Sequence, residues 1–157
     1  MPTIRPLALG LGLAVAVVSA PPLHAQDAMP NPAVKARQSL MTLFAFNLGT
    51  LGAMAQGNME YDATAAGAAA NNLMALSHLD LAALWPEGTD ADSIDGTRAL
   101  PDLWANFPDV TTKIAALQTA TTAMADAAGT DLAGLQGAMG PLGAACGACH
   151  QAYRASE

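Results

Sequence analysis

The ten residues ACGACHQAYR, at positions 145–154, constrain this chain more than any other stretch. They contain both of its cysteines, Cys146 and Cys149, and His150 follows the second cysteine directly. On one helical turn, two thiols three residues apart can each add to a vinyl group of a single haem, and the adjacent imidazole then points at the iron. The motif therefore predicts one covalently bound haem c, with His150 as an iron ligand.

Three other uses of a C-x-x-C pair fit the sequence less well. A plain disulfide would not require the histidine. A thioredoxin-like redox site expects the motif inside a βαβ pattern, which the sequence does not show. A structural zinc site needs four ligands, and the chain has no second Cys or Cys/His pair. Haem attachment is therefore the favoured interpretation.

Residues 1–25 predict a secretory signal peptide, and residues 26–157 a single domain. Arg5 precedes an apolar run from Leu7 to Ala20, and small, turn-prone residues lead to Ala25. This run is shorter than the roughly 20 residues that a membrane-spanning helix needs, so a retained anchor is the less favoured alternative. We expect cleavage near Ala25, no stable membrane span afterwards, and export to the periplasm, which suits haem attachment outside the cytoplasm.

The expected mature chain is acidic. Removing residues 1–25 leaves five basic residues against 13 acidic ones, a net charge of −8. Nucleic acid is an improbable partner on physical grounds, because no basic face is available to neutralise phosphates. The acidity is best explained by solubility, and docking with a basic partner is the less favoured interpretation. We expect redox partner proteins, although the charge is too diffuse to identify one.

Apolar spacing predicts an all-α protein, an antiparallel four-helix bundle. The four predicted helices span residues 32–56, 63–84, 101–128 and 131 to the end, with a loop at 85–96. Asn31 and Asp62 are expected N-caps, and Gly129 is expected to end the third helix. A kink is expected at Gly140–Pro141. No stretch alternates as a strand would, so no sheet is predicted.

The motif's position limits the second axial ligand of the iron. Only seven residues follow His150, and none of them is Met or His. A sixth ligand must therefore come from upstream, from a different helix. The aromatic content is 4% and alanine is abundant, so the helices bury little apolar area of their own. A large apolar guest such as haem would compensate for this thin core.

Three segments together resemble the cytochrome c′ / cytochrome c-556 family. These are GPLGAACGACHQAYR at the C-terminus, VKARQSLMTL in the first helix and GTRALPDLW before the third. The resemblance covers about residues 30–155. It implies a four-helix bundle with haem c between the helices, and a possible homodimer packed through the first two helices.

The resemblance implies one of two iron sites. In the c′ branch an apolar side chain covers the distal side, and five-coordinate iron binds nitric oxide or carbon monoxide. In the c-556 branch a methionine makes the iron six-coordinate, low-spin and suited to electron transfer. The distinguishing position, one turn after Arg37 and Gln38, is Met41. We expect Met41 to ligate the iron of a one-electron carrier, although methionines more often fill core gaps. A one-residue shift would place Leu40 there, and the protein would bind gas.

The resemblance also brings polar side chains to the haem edge. Arg37 is expected over a propionate, and Gln38 and Arg98 are expected near the haem. Arg154 follows His150 by four residues on the same helical face, so we expect it to shield the proximal side or to pair with a propionate. The alternative for Arg154 is a solvated arginine that is favourable to the helix dipole.

Two further functions are not expected. Bis-histidine ligation would need His78, which we expect to lie partly exposed on the second helix. Peroxidase-like chemistry would need a distal acid–base group, and the segment SLMTLFAF offers none. We therefore do not expect an enzyme.

Overall fold

A computed structural model describes residues 31–156 of the 157-residue chain. The predicted signal peptide lies outside the described residues. The five helices of the described part are α1 Pro32–Ala55, α2 Ala63–Ser77, α3 Asp102–Ala105, α4 Phe107–Ala128 and α5 Leu132–Tyr153. Extended backbone pairs in this range only at an isolated antiparallel bridge between Ala99 and Arg154. The predicted all-α class is confirmed.

The four long helices, α1, α2, α4 and α5, form the bundle. Helix α4 packs most extensively against α5 and α2, α1 packs against α2, and α1 meets α5 over a smaller area. The main core is rich in alanine and has these buried members: Leu51, Met54, Ala66, Ala69, Ala70, Leu73, Ala120, Met124, Ala128, Leu135 and Leu142. Among residues 31–156, no helix is long and apolar enough to cross a membrane.

Side-chain caps start three of the long helices, from Asn31 in α1, Asp62 in α2 and Asp131 in α5. Asn31 accepts from the amides of Ala33 and Val34 at 3.0 and 3.3 Å, which satisfies N–H groups that have no partner within the helix. Asp62 caps α2 through the Ala65 amide at 2.8 Å. The predicted caps Asn31 and Asp62 are therefore confirmed. At the other end of α4, Gly129 is the C-cap, also as predicted.

The second helix is shorter than the sequence analysis predicted. It ends at Ser77. The Ser77 hydroxyl and the His78 ring both contact the Met74 carbonyl, at 2.8 and 2.9 Å, and the Gln118 side chain of α4 donates to the Ser77 carbonyl at 3.1 Å. Residues 78–101 then form a long linker, broken only by a 3₁₀ turn at Ala82–Leu84. The predicted end at Leu84 was wrong, because Leu84 belongs to the 3₁₀ turn of the linker, whose N-cap is Leu81, and not to α2.

The predicted third helix is two helices. The short α3 ends at Ala105, and α4 begins at Phe107 with Asn106 between them. Pro108 explains the break, because it has no N–H to donate to the carbonyl four residues earlier and its ring crowds that carbonyl. By contrast, α5 continues through Pro141 from Leu132 to Tyr153.

Candidate functional site

The last two turns of α5 carry Cys146, Cys149 and His150. Both thiols are free and half-buried. Burial raises the pKa of each cysteine above its ordinary value. The pKa of His150 is lowered, mainly because burial disfavours the imidazolium and also because the positive charges of Arg154 and Arg98 are near. The imidazole is therefore kept neutral near pH 7, as iron ligation requires.

The two cysteines lie where two hydrophobic cores meet. Cys146 packs against the main core. Cys149 packs against a second, smaller cluster whose buried members are Leu103, Val110 and Tyr153. Trp85, Trp104 and Ile114 also pack on that cluster. Helices α3 and α4 thus support one cysteine, and the main bundle core supports the other.

A polar network joins α5 to α4 beside Cys149. The Tyr153 hydroxyl donates to Asp109 Oδ2 at 2.6 Å, and Lys113 Nζ lies 3.3 Å from the same oxygen. The hydrogen bond from Tyr153, with a smaller contribution from Lys113, lowers the pKa of Asp109. The same bond to a carboxylate raises the pKa of Tyr153 to about 12. The pairing of Asp109 with Tyr153 was not predicted from the sequence, since nothing in a linear pattern relates the two residues.

Arg154 is not on the helix. It is the C-cap of α5 and has extended backbone angles, φ −123° and ψ 124°. The expectation that it shares a helical face with His150 was therefore wrong: the chain leaves the helix because Arg154 pairs with Ala99 in the antiparallel bridge. The Arg154 side chain is exposed, yet its charge still lowers the pKa of His150.

Arg98 lies beside the end of the chain. Its Nε and Nη2 atoms donate to the Ala155 carbonyl at 3.0 and 2.7 Å, and its own carbonyl accepts from the Ala155 amide at 2.9 Å. Like Arg154, it contributes positive charge near His150. The linker therefore brings Arg98 close to His150, and its expected contact with the haem edge stays a prediction.

Arg37 is buried, with 3% of its surface exposed. Its Nη1 atom donates to Thr89 Oγ1 at 2.8 Å and to the Leu84 carbonyl at 3.4 Å. Its Nη2 atom donates to Thr97 Oγ1 at 2.6 Å and to the Thr89 carbonyl. Burial lowers the pKa of Arg37, and the charge of Asp90 partly offsets this. The linker thus supplies every acceptor named here, none of which the sequence analysis predicted.

Two tryptophans complete the surroundings of Arg37. Its guanidinium carbon lies 4.9 Å from the centre of the Trp85 ring and 6.0 Å from that of Trp104, in cation–π range. The two rings meet edge to face with centroids 6.3 Å apart. The neighbouring Gln38 is exposed and donates from Nε2 to the Gly96 carbonyl at 2.6 Å. Both residues of the Arg–Gln pair therefore contact the linker.

Leu40 and Met41 differ in burial and in direction. Leu40 is 6% exposed and Met41 is 39% exposed. By helical spacing, Leu40 lies one heptad before Asn47, and Asn47 accepts from Asn72 of α2 at 3.0 Å. Leu40 therefore lies on the face of α1 towards α2.

Met41 lies on a different face of α1. It precedes Ala45 by four residues and Leu48 by seven, so the three share one row. Ala45 and Leu48 line a groove of about 580 Å³ together with Met139 and Gly143 of α5. Met41 is therefore on the side of α1 towards α5, the helix that carries His150.

His78 is the C-cap of α2 and is exposed. Its Nδ1 atom contacts the Met74 carbonyl at 2.9 Å and the Ser77 hydroxyl at 3.1 Å. This environment agrees with the expected exposed histidine.

The residues present fit a covalent haem. The donor set is one that haem c uses: two free thiols three residues apart on a helix, and a neutral imidazole next to the second. The apolar surroundings of both cysteines suit the body of a porphyrin, and the positive charges of Arg98 and Arg154 suit its carboxylates.

Comparison with known proteins identifies the class. Residues 32–154 match the family model described as Cytochrome C′, so this chain belongs to the cytochrome c′ family. Members of this family carry haem c bound covalently through cysteine, and Cys146 and Cys149 supply the thiols here.

Three curated relatives illustrate the range of the family. Cytochrome c-554 of Cereibacter sphaeroides is 44% identical, over 98% of this chain and 100% of that protein. A cytochrome c′ of the same organism is 36% identical, over 90% and 95% of the two chains. Cytochrome c-556 of Agrobacterium fabrum is 36% identical, over 77% and 80%.

Solved structures share the bundle. Cytochrome c′ from "Rhodobacter Spheriodes" superposes with a TM-score of 0.78 at 36% identity, covering 80% of this chain and 97% of that one. A ferrous variant of Alcaligenes xylosoxidans cytochrome c′ with bound NO gives 0.68 at 35% identity, covering 80% and 94%. A cytochrome c′ described as having ligand-controlled dimer dissociation gives 0.74 at 31% identity, covering 80% and 95%. The predicted four-helix bundle is thereby confirmed.

The comparisons change which of the two expected iron sites is favoured. A haem c cytochrome is confirmed. The low-spin His/Met electron carrier is not, and the gas-binding alternative agrees better with the family model and the solved relatives.

Proposed function

We propose that this protein is a periplasmic haem c cytochrome that binds nitric oxide or carbon monoxide, with His150 as the single protein ligand of five-coordinate iron. Cys146 and Cys149 anchor the haem. The finding that carries the proposal is the match of residues 32–154 to the family model described as Cytochrome C′. The relative with bound NO, at 35% identity, supports it. The haem supplies the iron that binds the gas.

The chain's own residues prepare the proximal side. Burial and the charges of Arg98 and Arg154 lower the pKa of His150, so the imidazole is neutral and available. Tyr153 and Asp109 hold the end of α5 against α4. None of these groups is a general acid or base aimed at a distal site, and the proposal includes no catalytic turnover.

A second candidate is the one-electron carrier with Met41 as the sixth ligand. The specific observation in its favour is the position of Met41 in the α1 row that faces α5, whereas Leu40 faces α2. The match to cytochrome c-556 is a further reason to keep it.

Absorption spectra of the haem-loaded protein separate the two candidates. Gas binding predicts high-spin bands and prompt carbon monoxide uptake by the ferrous protein. Electron transfer through Met41 predicts low-spin bands, a weak far-red ferric band and no response to the gas. The second result would overturn the gas-binding proposal.

Three variants sharpen this test. If Met41 is the ligand, Met41→Ala should convert a low-spin spectrum to a high-spin one. If the iron is five-coordinate, Met41→Ala should leave the spin state unchanged. Leu40→Ala shows whether the buried leucine limits gas access. Met59→Ala is the matched control, because Met59 is 47% exposed and lies beyond the end of α1.

Location and assembly extend the proposal. The signal-like N-terminus supports export to the periplasm. A homodimer is supported by the exposed apolar residues Leu43 and Phe46 on α1, at 50% and 72% exposure, and by the dimer described for one relative. Sedimentation of the wild type and of Phe46→Glu tests it, and a monomeric wild type would exclude the dimer.

A further inference from the structure

The linker of residues 78–101 runs from α2 to α3 and contacts both α1 and the end of α5. Its buried polar contact with α1 is Arg37. Burying a guanidinium is costly unless its N–H groups find acceptors, and Leu84, Thr89 and Thr97 provide them. Arg37 therefore fastens the linker to α1 one turn before Leu40 and Met41.

Thr97 links Arg37 to the linker residue that pairs with the end of α5. Its hydroxyl oxygen accepts from Arg37 Nη2 at 2.6 Å and from the Ala99 amide at 3.3 Å. Ala99 is the linker residue of the antiparallel bridge to Arg154. Two backbone bonds flank that bridge: the Leu100 amide donates to the Tyr153 carbonyl at 3.0 Å, and the Ala155 amide donates to the Arg98 carbonyl at 2.9 Å.

The bridge begins where α5 ends. The Arg154 amide donates to the His150 carbonyl at 3.2 Å, which closes the last turn of the helix. The residue that caps this turn is thus the residue that pairs with Ala99. The backbone position of His150 is consequently tied, through a single turn, to the linker.

An aromatic route runs in parallel. Trp85, which lies against Arg37, accepts from the Trp104 indole N–H through its carbonyl at 3.0 Å. Both tryptophans pack on the cluster that contains Tyr153 and contacts Cys149. Two independent sets of contacts therefore lead from Arg37 to the turn that holds Cys149 and His150.

We propose that residues 84–100 act as a strap and that Arg37 and Thr97 are positioning residues for His150. The strap fixes the last turn of α5 relative to α1, and so fixes the direction of the imidazole towards the iron. The inference rests on haem ligation by His150, which the proposed function includes. It holds whether the sixth position of the iron is open or is occupied by Met41.

Contacts outside the first ligand sphere orient a ligating histidine and tune the metal. An α5 end released from the strap would let the imidazole rotate and shift along its bond to the iron. The reduction potential and the iron–histidine stretching band should therefore respond, while the overall fold, held by the main core, should not.

The experiment uses two variants of Thr97 in the haem-loaded protein. Thr97→Val keeps the shape of the side chain but removes the oxygen that accepts from Arg37 and Ala99. Thr97→Ser keeps that oxygen. Thr121→Val is the matched control, because Thr121 is fully buried and bonds Ser77 Oγ at 2.8 Å between α4 and α2. Hydrogen exchange of the Arg154 and Ala155 amides, the midpoint potential and the resonance Raman spectrum are measured for each.

We expect Thr97→Val to speed exchange of the Ala155 amide at least ten-fold and to shift both the midpoint potential and the iron–histidine band. Thr97→Ser should behave like the wild type. Thr121→Val should lower stability without moving either haem signal. If Thr97→Val is too unstable to load haem, Thr89→Val, which removes another acceptor of Arg37, is measured in the same way.

The strap is excluded if the Thr97→Val protein keeps wild-type exchange at Ala155, or if Thr121→Val moves the haem signals equally. It is also excluded if exchange quickens while the potential and the band stay unchanged. A low-spin, gas-insensitive wild type would overturn the gas-binding proposal alone, because each variant is compared with the wild type in the same coordination state.

Discussion

The two ends of the bundle are held together in different ways. The closed end comprises the C-terminal half of α1, the N-terminal halves of α2 and α5 and the C-terminal half of α4. There Ala66, Met124 and Leu135 have no exposed surface. The attachment end, with the linker and the last turns of α5, keeps Cys146 and His150 half-buried.

Small residues determine the packing at the closed end. A Cβ added to Gly129 would lie 3.4 Å from both the Gly67 Cα and the Ala63 carbonyl, so α2 and the end of α4 are already in close contact. The Tyr61 hydroxyl adds one bond, to the Ala128 carbonyl at 2.9 Å. This end is a close-packed interior in which shape decides stability.

Polar ties determine the structure at the attachment end. Arg37 bonds residues up to 60 positions away in sequence, and Tyr153 bonds Asp109 across 44 positions. Directional contacts hold the backbone in place while they leave the side chains of Cys146, Cys149 and His150 half-buried. The comparison shows how one bundle combines a closed core with a site that can receive a large group.

The largest expected effect comes from the cysteines of the attachment end. The double variant Cys146→Ala/Cys149→Ala should lose covalent haem entirely, because no other thiol is present in the chain. Acidified acetone should then extract all haem from the exported protein, whereas it should extract none from the wild type. Haem retained by the double variant would show that attachment does not use these thiols.

The next effect belongs to the closed end. Leu135→Ala should lower the free energy of unfolding by about 2–5 kcal/mol, since Leu135 is fully buried and its truncation leaves a cavity. Denaturant unfolding measures this, and the haem spectrum should not change. Leu132→Ala, at a position that is 37% exposed on the same helix, is the control and should cost much less. Similar losses in the two variants would contradict the packed closed end.

A pH-dependent effect should arise at the attachment end. The Tyr153 pKa is about 12 in the folded protein, above the ordinary value of 10.0. The folded state therefore holds the proton more tightly. The resulting stability is fully present below pH 10 and is lost as the pH rises to about 12. Unfolding measured from pH 8 to 12 should show this decline.

The partner of Tyr153 gives the opposite dependence. The pKa of Asp109 is lowered by the Tyr153 bond, so its contribution is present above the ordinary pKa of 3.8 and is lost as the pH falls below it. Tyr153→Phe should remove the alkaline decline and weaken the acid one. A Phe variant with an unchanged alkaline profile would assign the decline to another group.

The smallest expected effects are at helix caps, one at each end. Asn31→Ala removes the cap of α1 at the attachment end, and Asp131→Ala removes the bond to the Gly134 amide, at 2.7 Å, at the closed end. Each should cost about 1 kcal/mol, because a cap acts on its own first turn whatever the packing beyond it. Thermal unfolding of both variants tests this equality. A much larger loss for Asn31→Ala would show that the attachment end depends on the start of α1.

The sequence by itself determined the features that depend on near neighbours. The haem attachment residues Cys146 and Cys149 form a local motif with the predicted iron ligand His150, and the caps Asn31 and Asp62 act within their own first turns. The helical class follows from apolar spacing. The sequence analysis did not predict the break at Asn106, although Pro108 was a usable signal for it.

Only the tertiary structure decided the contacts between distant segments. At the end of α2, the Ser77 carbonyl accepts from the Gln118 side chain of α4, which lies 41 positions away in sequence. Arg154 leaves the helix because it pairs with Ala99, 55 positions earlier. The acceptors of Arg37 could not be predicted, because a buried guanidinium is satisfied by whichever oxygens the folded linker brings to it. Local patterns fix helices and caps through adjacent atoms, whereas these long-range bonds form only when the whole bundle has assembled.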